Sequence, residues 1–316
     1  EVRRIMGKTA FIFPGQGAQV CGMGQDFYEN SETAKAVFDR ATELLGFSVP
    51  ELCFEKNDRL DITEYTQAAM VTTSVAMMKV MEERGIHADV AAGLSLGEYC
   101  ALVAAGVMTA DDAIRTVRER GILMQEAVPA GVGGMSAVLG MTADEINAVV
   151  DEIPNVQVAN YNCPGQLVIG GEKAAVEKAA ELAKAAGARR CIPLKVSGPF
   201  HTRLMAPAGD ALAKRFATEN FGEMKTPVLF NCLGHEKSAE DSIPALLEKQ
   251  VQSSVYMEDT LRRLGELGVT EILEVGPGKA LSGFVKKTLG PDVPCTAVET
   301  AEELAAFLTK WKEAHA

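Results

Sequence analysis

The sequence predicts an α/β protein in which a large parallel-sheet domain is interrupted by a smaller mixed one. Three observations carry that expectation. Twice, a short apolar run passes straight into a glycine-containing turn: residues 9–13 into Pro14-Gly15-Gln16-Gly17, and residues 88–92 into Gly93-Leu94-Ser95-Leu96-Gly97 and a helix. Strand, tight turn and helix in alternation are the units of a parallel sheet. From residue 135 the texture changes to β-α-β-β-α-β, the ferredoxin-like order. Finally, 316 residues exceed the ~250–300 at which a single core stops growing.

The elements follow in chain order. Apolar periodicity predicts helices over 31–46 and 65–84, the second closed by Gly85. A helix through Ala105 follows the second turn, and another carries Arg115, Arg118 and Arg120 after Asp111-Asp112. The small domain reads as a strand at 135–139, a helix at 142–150, strands at 156–160 and 166–170, a helix at 172–186 and a strand at 190–196. The α/β texture then resumes with a strand at 228–230, a helix over 257–267 and a strand at 271–275 stopped by Gly276-Pro277-Gly278. The expected division is a discontinuous catalytic domain, 1–130 with 199–316, and an insert at 131–198. Glu1 to Ile5 precede Met6 and read as an extension without structural weight.

Composition narrows the function. Apolar residues are 47% and charged residues 23%, which fits a globular chain rather than a disordered one. The net charge of -12 argues against a nucleic-acid partner, so an anionic ligand must meet a local basic site. Seven scattered cysteines, none in a C-x-x-C pair, predict small core residues in a reducing compartment. With no apolar run of about 18 residues, no membrane association is expected and the expected location is the cytoplasm.

Gly93-x-Ser95-x-Gly97 has the pattern of a nucleophile elbow, in which flanking glycines admit a turn too tight for side chains. The bland alternative is an ordinary strand-to-helix turn. A serine nucleophile needs a base, and the four histidines are His87, His201, His235 and His315. His201 stands at the exit of the small domain, where a cleft would form; position alone leaves it a base or a capping residue. Any of the three arginines can clamp a carboxylate or sit on a solvated face, and spacing does not choose. Gly15-x-Gly17 lacks the third glycine of a dinucleotide site, and the histidines lack zinc-ligand spacing.

Six blocks in order resemble one family along nearly the whole chain. They are Phe13-Pro14-Gly15-Gln16-Gly17-Ala18-Gln19, Gly93 to Tyr99, Arg120-Gly121 with Met124-Gln125, Asn160 to Gln166, Gly198-Pro199-Phe200-His201 with Met205, and Glu274-Val275-Gly276-Pro277-Gly278. The family is the malonyl-CoA:acyl carrier protein transacylases of bacterial type II fatty-acid synthesis. The resemblance implies an α/β-hydrolase-like large domain with an inserted ferredoxin-like domain. It also implies Ser95 as nucleophile, His201 as base, the N–H groups of Gln16 and Leu96 as oxyanion hole, and Gln250 as the residue whose carbonyl orients the histidine. Arg120 would bind the malonyl carboxylate, and Asn160, Asn162 and Phe200 would line the substrate site. Malonyl-CoA is then a substrate, acyl carrier protein the partner, and no cofactor or metal is expected. Two departures stand out: Leu94 where the family has histidine, and Ser254 and Met257 where it has proline and an aromatic. The rival readings are a serine thioesterase or hydrolase, which would supply a carboxylate behind the histidine, and a non-catalytic acyl-carrier-binding module, which would dispense with the chemistry. Docking candidates for an acidic carrier are Arg189, Arg190 and Lys195, and Lys286 and Lys287.

Overall fold

The computed structural model describes residues 7–315, so the expectation for the first five residues lies outside them. The strands are β1 (Lys8–Phe13), β2 (Val90–Gly93), β3 (Gly133–Leu139), β4 (Val156–Cys163), β5 (Gln166–Glu172), β6 (Arg190–Pro193), β7 (Val228–Phe230), β8 (His235–Glu236), β9 (Val255–Tyr256), β10 (Val269–Val275) and β11 (Cys295–Val298). They form a six-stranded sheet, order β11-β10-β1-β2-β7-β8, and a five-stranded sheet, order β6-β3-β5-β4-β9. The first is parallel except for the short β7–β8 edge pair. Chain segments on both sides of the second sheet build the first, an α/β-hydrolase-like layer with a ferredoxin-like unit inserted.

Alternation along β1 shows how the layers form. Phe11 and Phe13 point into one core with Phe27 and Phe38, while Ala10 and Ile12 point into another with Leu261, Leu281 and Val285. A parallel strand covered by helices on both faces must be apolar on both, which is why residues 9–13 carry no polar alternation. The insert has its own core of Val138, Ile146, Val158, Leu167, Ile169 and Val176. Its helix Ala143–Val150 starts at a capping box, Thr142 and Glu145 each satisfying the other's backbone N–H.

Several elements differ from expectation. β6 ends at Pro193, not Val196, and Pro193 has no N–H with which to extend a ladder. Helices Val49–Phe54 and Ala301–His315 and strands β8, β9 and β11 were not expected. β9 joins the insert's sheet from far downstream, pairing in parallel with Asn160 and Tyr161 of β4. Ser254 beside it donates to the Val158 carbonyl of β4 at 2.7 Å, so the departure from proline at this position adds a tie between the insert and the downstream chain that joins its sheet. Cys21 is exposed and Cys191 and Cys295 half-buried, so not every cysteine is a core residue. Among the described residues no helix is long and apolar enough to cross a membrane.

The carboxyl ends of the parallel strands converge. β1, β2, β7 and β10 all finish at one edge, delivering Pro14-Gly15-Gln16, Leu94-Ser95, Asn231 and Gly276-Pro277-Gly278 to the same side of the sheet. The crevice outside the carboxyl ends of such strands is where ligands bind in open α/β sheets.

Candidate active site

Ser95 stands in the turn between β2 and the helix Gly97–Ala104 with φ of 53°, the left-handed region an L residue normally avoids. The glycines explain how the turn closes: a Cβ at Gly93 would collide with the Gly97 backbone, and one at Gly97 with the Phe13 carbonyl. A side-chain clasp then holds it. Asn231, directly after β7, accepts from the Ser95 N–H at 2.7 Å and donates to the Gly93 carbonyl at 2.5 Å. Its own N–H donates to the Glu98 carboxyl at 2.6 Å. Glu98 and Asn231 are fully buried. Burial pushes the Glu98 carboxyl up to about 8, partly opposed by the Asn231 N–H and the Arg120 charge, so it is largely neutral at pH 7.

His201 also has a positive φ, 58°, and its Nε2 lies 2.7 Å from Ser95 Oγ. Its Nδ1 lies 2.9 Å from the Gln250 backbone carbonyl. A carbonyl only accepts, so Nδ1 carries the proton and Nε2 is left as the base facing the hydroxyl. Burial, and then the Arg120 charge, push the imidazole down to about 4, against the hydrogen bond to Gln250. It is therefore neutral at pH 7, as a general base must be. Among the described residues, backbone strain at two of the three non-glycine residues with positive φ coincides with the two reacting side chains.

Helical geometry separates the three arginines. Arg115 is exposed, 3.8 Å from Asp112, and Arg118 pairs with Glu64 at 3.0 Å while stacking on Tyr65. Arg120, two residues on and so on another face, is 0% exposed. It donates to Gln67 Oε1 at 2.6 Å, Gln250 Oε1 at 3.0 Å and Ser95 Oγ at 3.1 Å. Its Nε–H is buried with no partner among the described residues. Gln250 serves twice: its carbonyl holds His201, and its side-chain amide joins Arg120 to the Ser95 carbonyl at 2.8 Å.

A cleft of about 320 Å³ opens onto these groups. Gln16, Leu96, Arg120, Asn160, Asn162, Phe200, Ser95 and His201 all border it, whereas Gln250 lies behind them. The N–H groups of Gln16 and Leu96 are not used by the turns' own backbone hydrogen bonds. Leu94 borders the cleft beside Leu281 and Phe284, so the departure there supplies apolar wall. His87 and His235 are exposed and away from it. The residues that the sequence did not single out are Asn231, Glu98 and Gln67. Each had a signal: Glu98 is an acid in an otherwise apolar helix, Gln67 an amide at the start of a helical stretch, 66–78, that is buried throughout, and Asn231 a polar residue at a parallel strand's end.

This geometry has relatives. An acyl transferase domain model matches residues 10–312. The malonyl CoA-acyl carrier protein transacylase of Bacillus subtilis is 46% identical over 287 residues, covering 89% of this chain and 90% of that one. Among solved structures, the transacylase of the same name from Clostridium perfringens superposes with a TM-score of 0.94 at 40% identity, covering 98% of both chains. A malonyl-transacylase solved in complex with a type II PKS acyl-carrier protein gives 0.93 at 38% identity, covering 96% of this chain and 99% of that one. Matched end to end by such relatives, the chain belongs to the acyl transferase family, among its malonyl CoA-acyl carrier protein transacylases.

Proposed function

We propose that this protein moves a malonyl group from coenzyme A to the phosphopantetheine thiol of acyl carrier protein, through a malonyl-Ser95 intermediate, in fatty-acid biosynthesis. The observation that carries the reading is Arg120: a fully buried cation in contact with the nucleophile itself, its Nε–H unmatched among the described residues. An acyl group ending in a carboxylate satisfies it, and a neutral one leaves it unpaired.

In this scheme His201 Nε2 takes the Ser95 proton as Oγ attacks the thioester carbon. The N–H groups of Gln16 and Leu96 receive the oxyanion, helped by the N-terminus of the Gly97–Ala104 helix. Collapse breaks the C–S bond, and the imidazolium returns its proton to the departing CoA sulfur. The carrier's thiol then gives its proton to His201, attacks the acyl-serine, and Ser95 leaves as the alcohol. Malonyl-CoA is a substrate, and no metal or cofactor takes part. The partner of His201 Nδ1 is the Gln250 carbonyl rather than a carboxylate, which favours this reading over a serine hydrolase.

Brief exposure to malonyl-CoA should leave one malonyl adduct by intact mass, on the peptide containing Ser95 and absent in Ser95→Ala. Added carrier protein should take the group faster than water does. An adduct on a cysteine, or release as free malonate at the same rate with or without carrier, would sink the proposal.

A further inference from the structure

Thr63 and Gln67 stand one turn apart at the start of the helix Thr63–Glu83, so they share a face. They are buried to 2% and 1% exposure. Neither belongs to the serine–histidine pair, yet each holds a group that faces the cleft. Thr63 Oγ1 accepts from Gln16 Nε2 at 3.1 Å and lies 3.2 Å from Ser197 Oγ. Gln67 Oε1 accepts from Arg120 at 2.6 Å, and its Nε2 donates to Met124 Sδ at 3.2 Å. Gly121 sets the spacing between the two helices: a Cβ there would lie 2.7 Å from Glu64 Cα and 2.9 Å from the Thr63 carbonyl. The residue beside Arg120 is thus one that lets its helix close on this face.

We propose that Thr63 and Gln67 are positioning residues that divide the two anion-binding tasks of the site, Thr63 fixing the Gln16 N–H for the oxyanion and Gln67 fixing Arg120 for the acyl carboxylate. The inference rests on the malonyl reading above. Gln16 lies between Gly15 and Gly17, the latter at φ 108°, so the loop has little stiffness of its own. Side-chain tethers supply it: Gln16 to Thr63, the Gly17 N–H to Gln19 at 2.6 Å, and Gln19 to Asp61 at 2.9 Å. The Arg120 tethers are of another kind. Gln67 and Gln250 present neutral amide oxygens, which orient a guanidinium without neutralising it. A carboxylate in either place would pair with Arg120 and compete with the substrate's own.

The two tasks leave different kinetic signatures. Every thioester generates an oxyanion, but only a malonyl group brings a carboxylate. Single-turnover acylation of Ser95 by malonyl-CoA and by acetyl-CoA therefore separates them. Thr63→Val should slow both donors alike, by about tenfold, with Thr63→Ser restoring most of the rate. Gln67→Leu should slow malonyl transfer by about tenfold and leave acetyl transfer within about twofold. Gln67→Glu should be at least as selective.

If an apolar variant does not fold, Gln16→Met, which removes the same tether while keeping its N–H, and Gln67→Glu give the same two readouts. Equal losses for both donors in the Gln67 variants, a malonyl-selective or absent effect of breaking the Thr63 tether, or no recovery with Thr63→Ser would overturn the inference. A wild-type protein that forms no acyl-serine from malonyl-CoA overturns instead the functional reading on which it rests.

Discussion

The two walls of the cleft are built from different materials. On the wall formed by the parallel sheet, Ser95, His201, Arg120 and Gln250 are bonded to one another before any substrate arrives, and Asn231 and Glu98 lock the turn behind them. On the wall formed by the insert, Met135, Ala137 and Val168 give apolar surface interspersed with Asn160, Asn162 and Gln166. There Asn162 Oδ1 is buried without a partner among the described residues. One wall is organised in advance around charge that develops in the reaction, and the other offers shape and an open acceptor. The difference assigns chemistry to the first and substrate fit to the second, because preorganised dipoles stabilise a transition state only if they need not rearrange.

Substitutions that break the first wall should act on rate for all substrates. His201→Ala is expected to have the largest effect, about 10²–10⁴-fold on both half-reactions, since one group is base for the serine and for the carrier thiol. Impairment of a single half-reaction would assign the base elsewhere. The same histidine sharpens the comparison through pH: held down to about 4, it should keep acylation active well below its usual range, with an acid limb near that value in kcat/KM. A limb at about 6.5 would mean that burial does not govern it.

Arg120 tests the boundary between the walls, since it sits in the first but addresses the acyl group. Arg120→Ala should lower malonyl transfer at least about tenfold while sparing or raising acetyl transfer. Equal losses would make it part of the general machinery. Asn231→Leu should come next, removing the side-chain clasp on the Ser95 N–H and the Gly93 carbonyl while its backbone N–H still serves Glu98. We expect a loss of about 1–3 kcal/mol in stability, read by urea denaturation, together with a lower kcat for every acyl donor. Unchanged kcat would show that the glycines alone hold the turn.

The smallest effect is expected outside both walls, where an acidic carrier must approach a protein of net charge -12. All five basic docking candidates are exposed, but they are not equivalent. Lys286 and Lys287 follow Phe284 on a helix that borders the cleft, whereas Arg189 and Arg190 lie at the other end of β6 from Leu194 at its rim. Reversing Lys286 and Lys287 to Glu should raise KM for carrier protein a few-fold at low salt and leave acylation by malonyl-CoA unchanged. A larger effect from Arg189 and Arg190 would move the docking face.

How much of this was legible in the sequence depended on whether the information lay in a side chain and its near neighbours. The turn around Ser95 was readable because steric necessity writes glycine on both sides of it. The β-α-β-β-α-β insert was readable because each element is long enough to show its period. Arg120 could not be told from Arg115 and Arg118 by spacing, because burial depends on which helix packs opposite. The orientation of His201 by a carbonyl leaves no mark at all in composition, as every residue has one; only the resemblance pointed to Gln250. Asn231 sits 136 positions from the serine it clasps, and no local pattern spans that distance.

The two-residue strand β9 changes how the insert should be understood. In sequence, 131–198 looks like a unit that could be lifted out, since its six elements make a complete small sheet and core. In the folded chain, β4 is an interior strand only because Val255 and Tyr256 cover it, with Tyr256 stacked on Tyr161. Cut free, the fragment would present a raw strand edge and a bare aromatic face, the combination that templates pairing between copies. Autonomy of folding and continuity in sequence are therefore separate properties here, and a chimera that exchanges inserts between relatives must carry the 254–256 segment along with them.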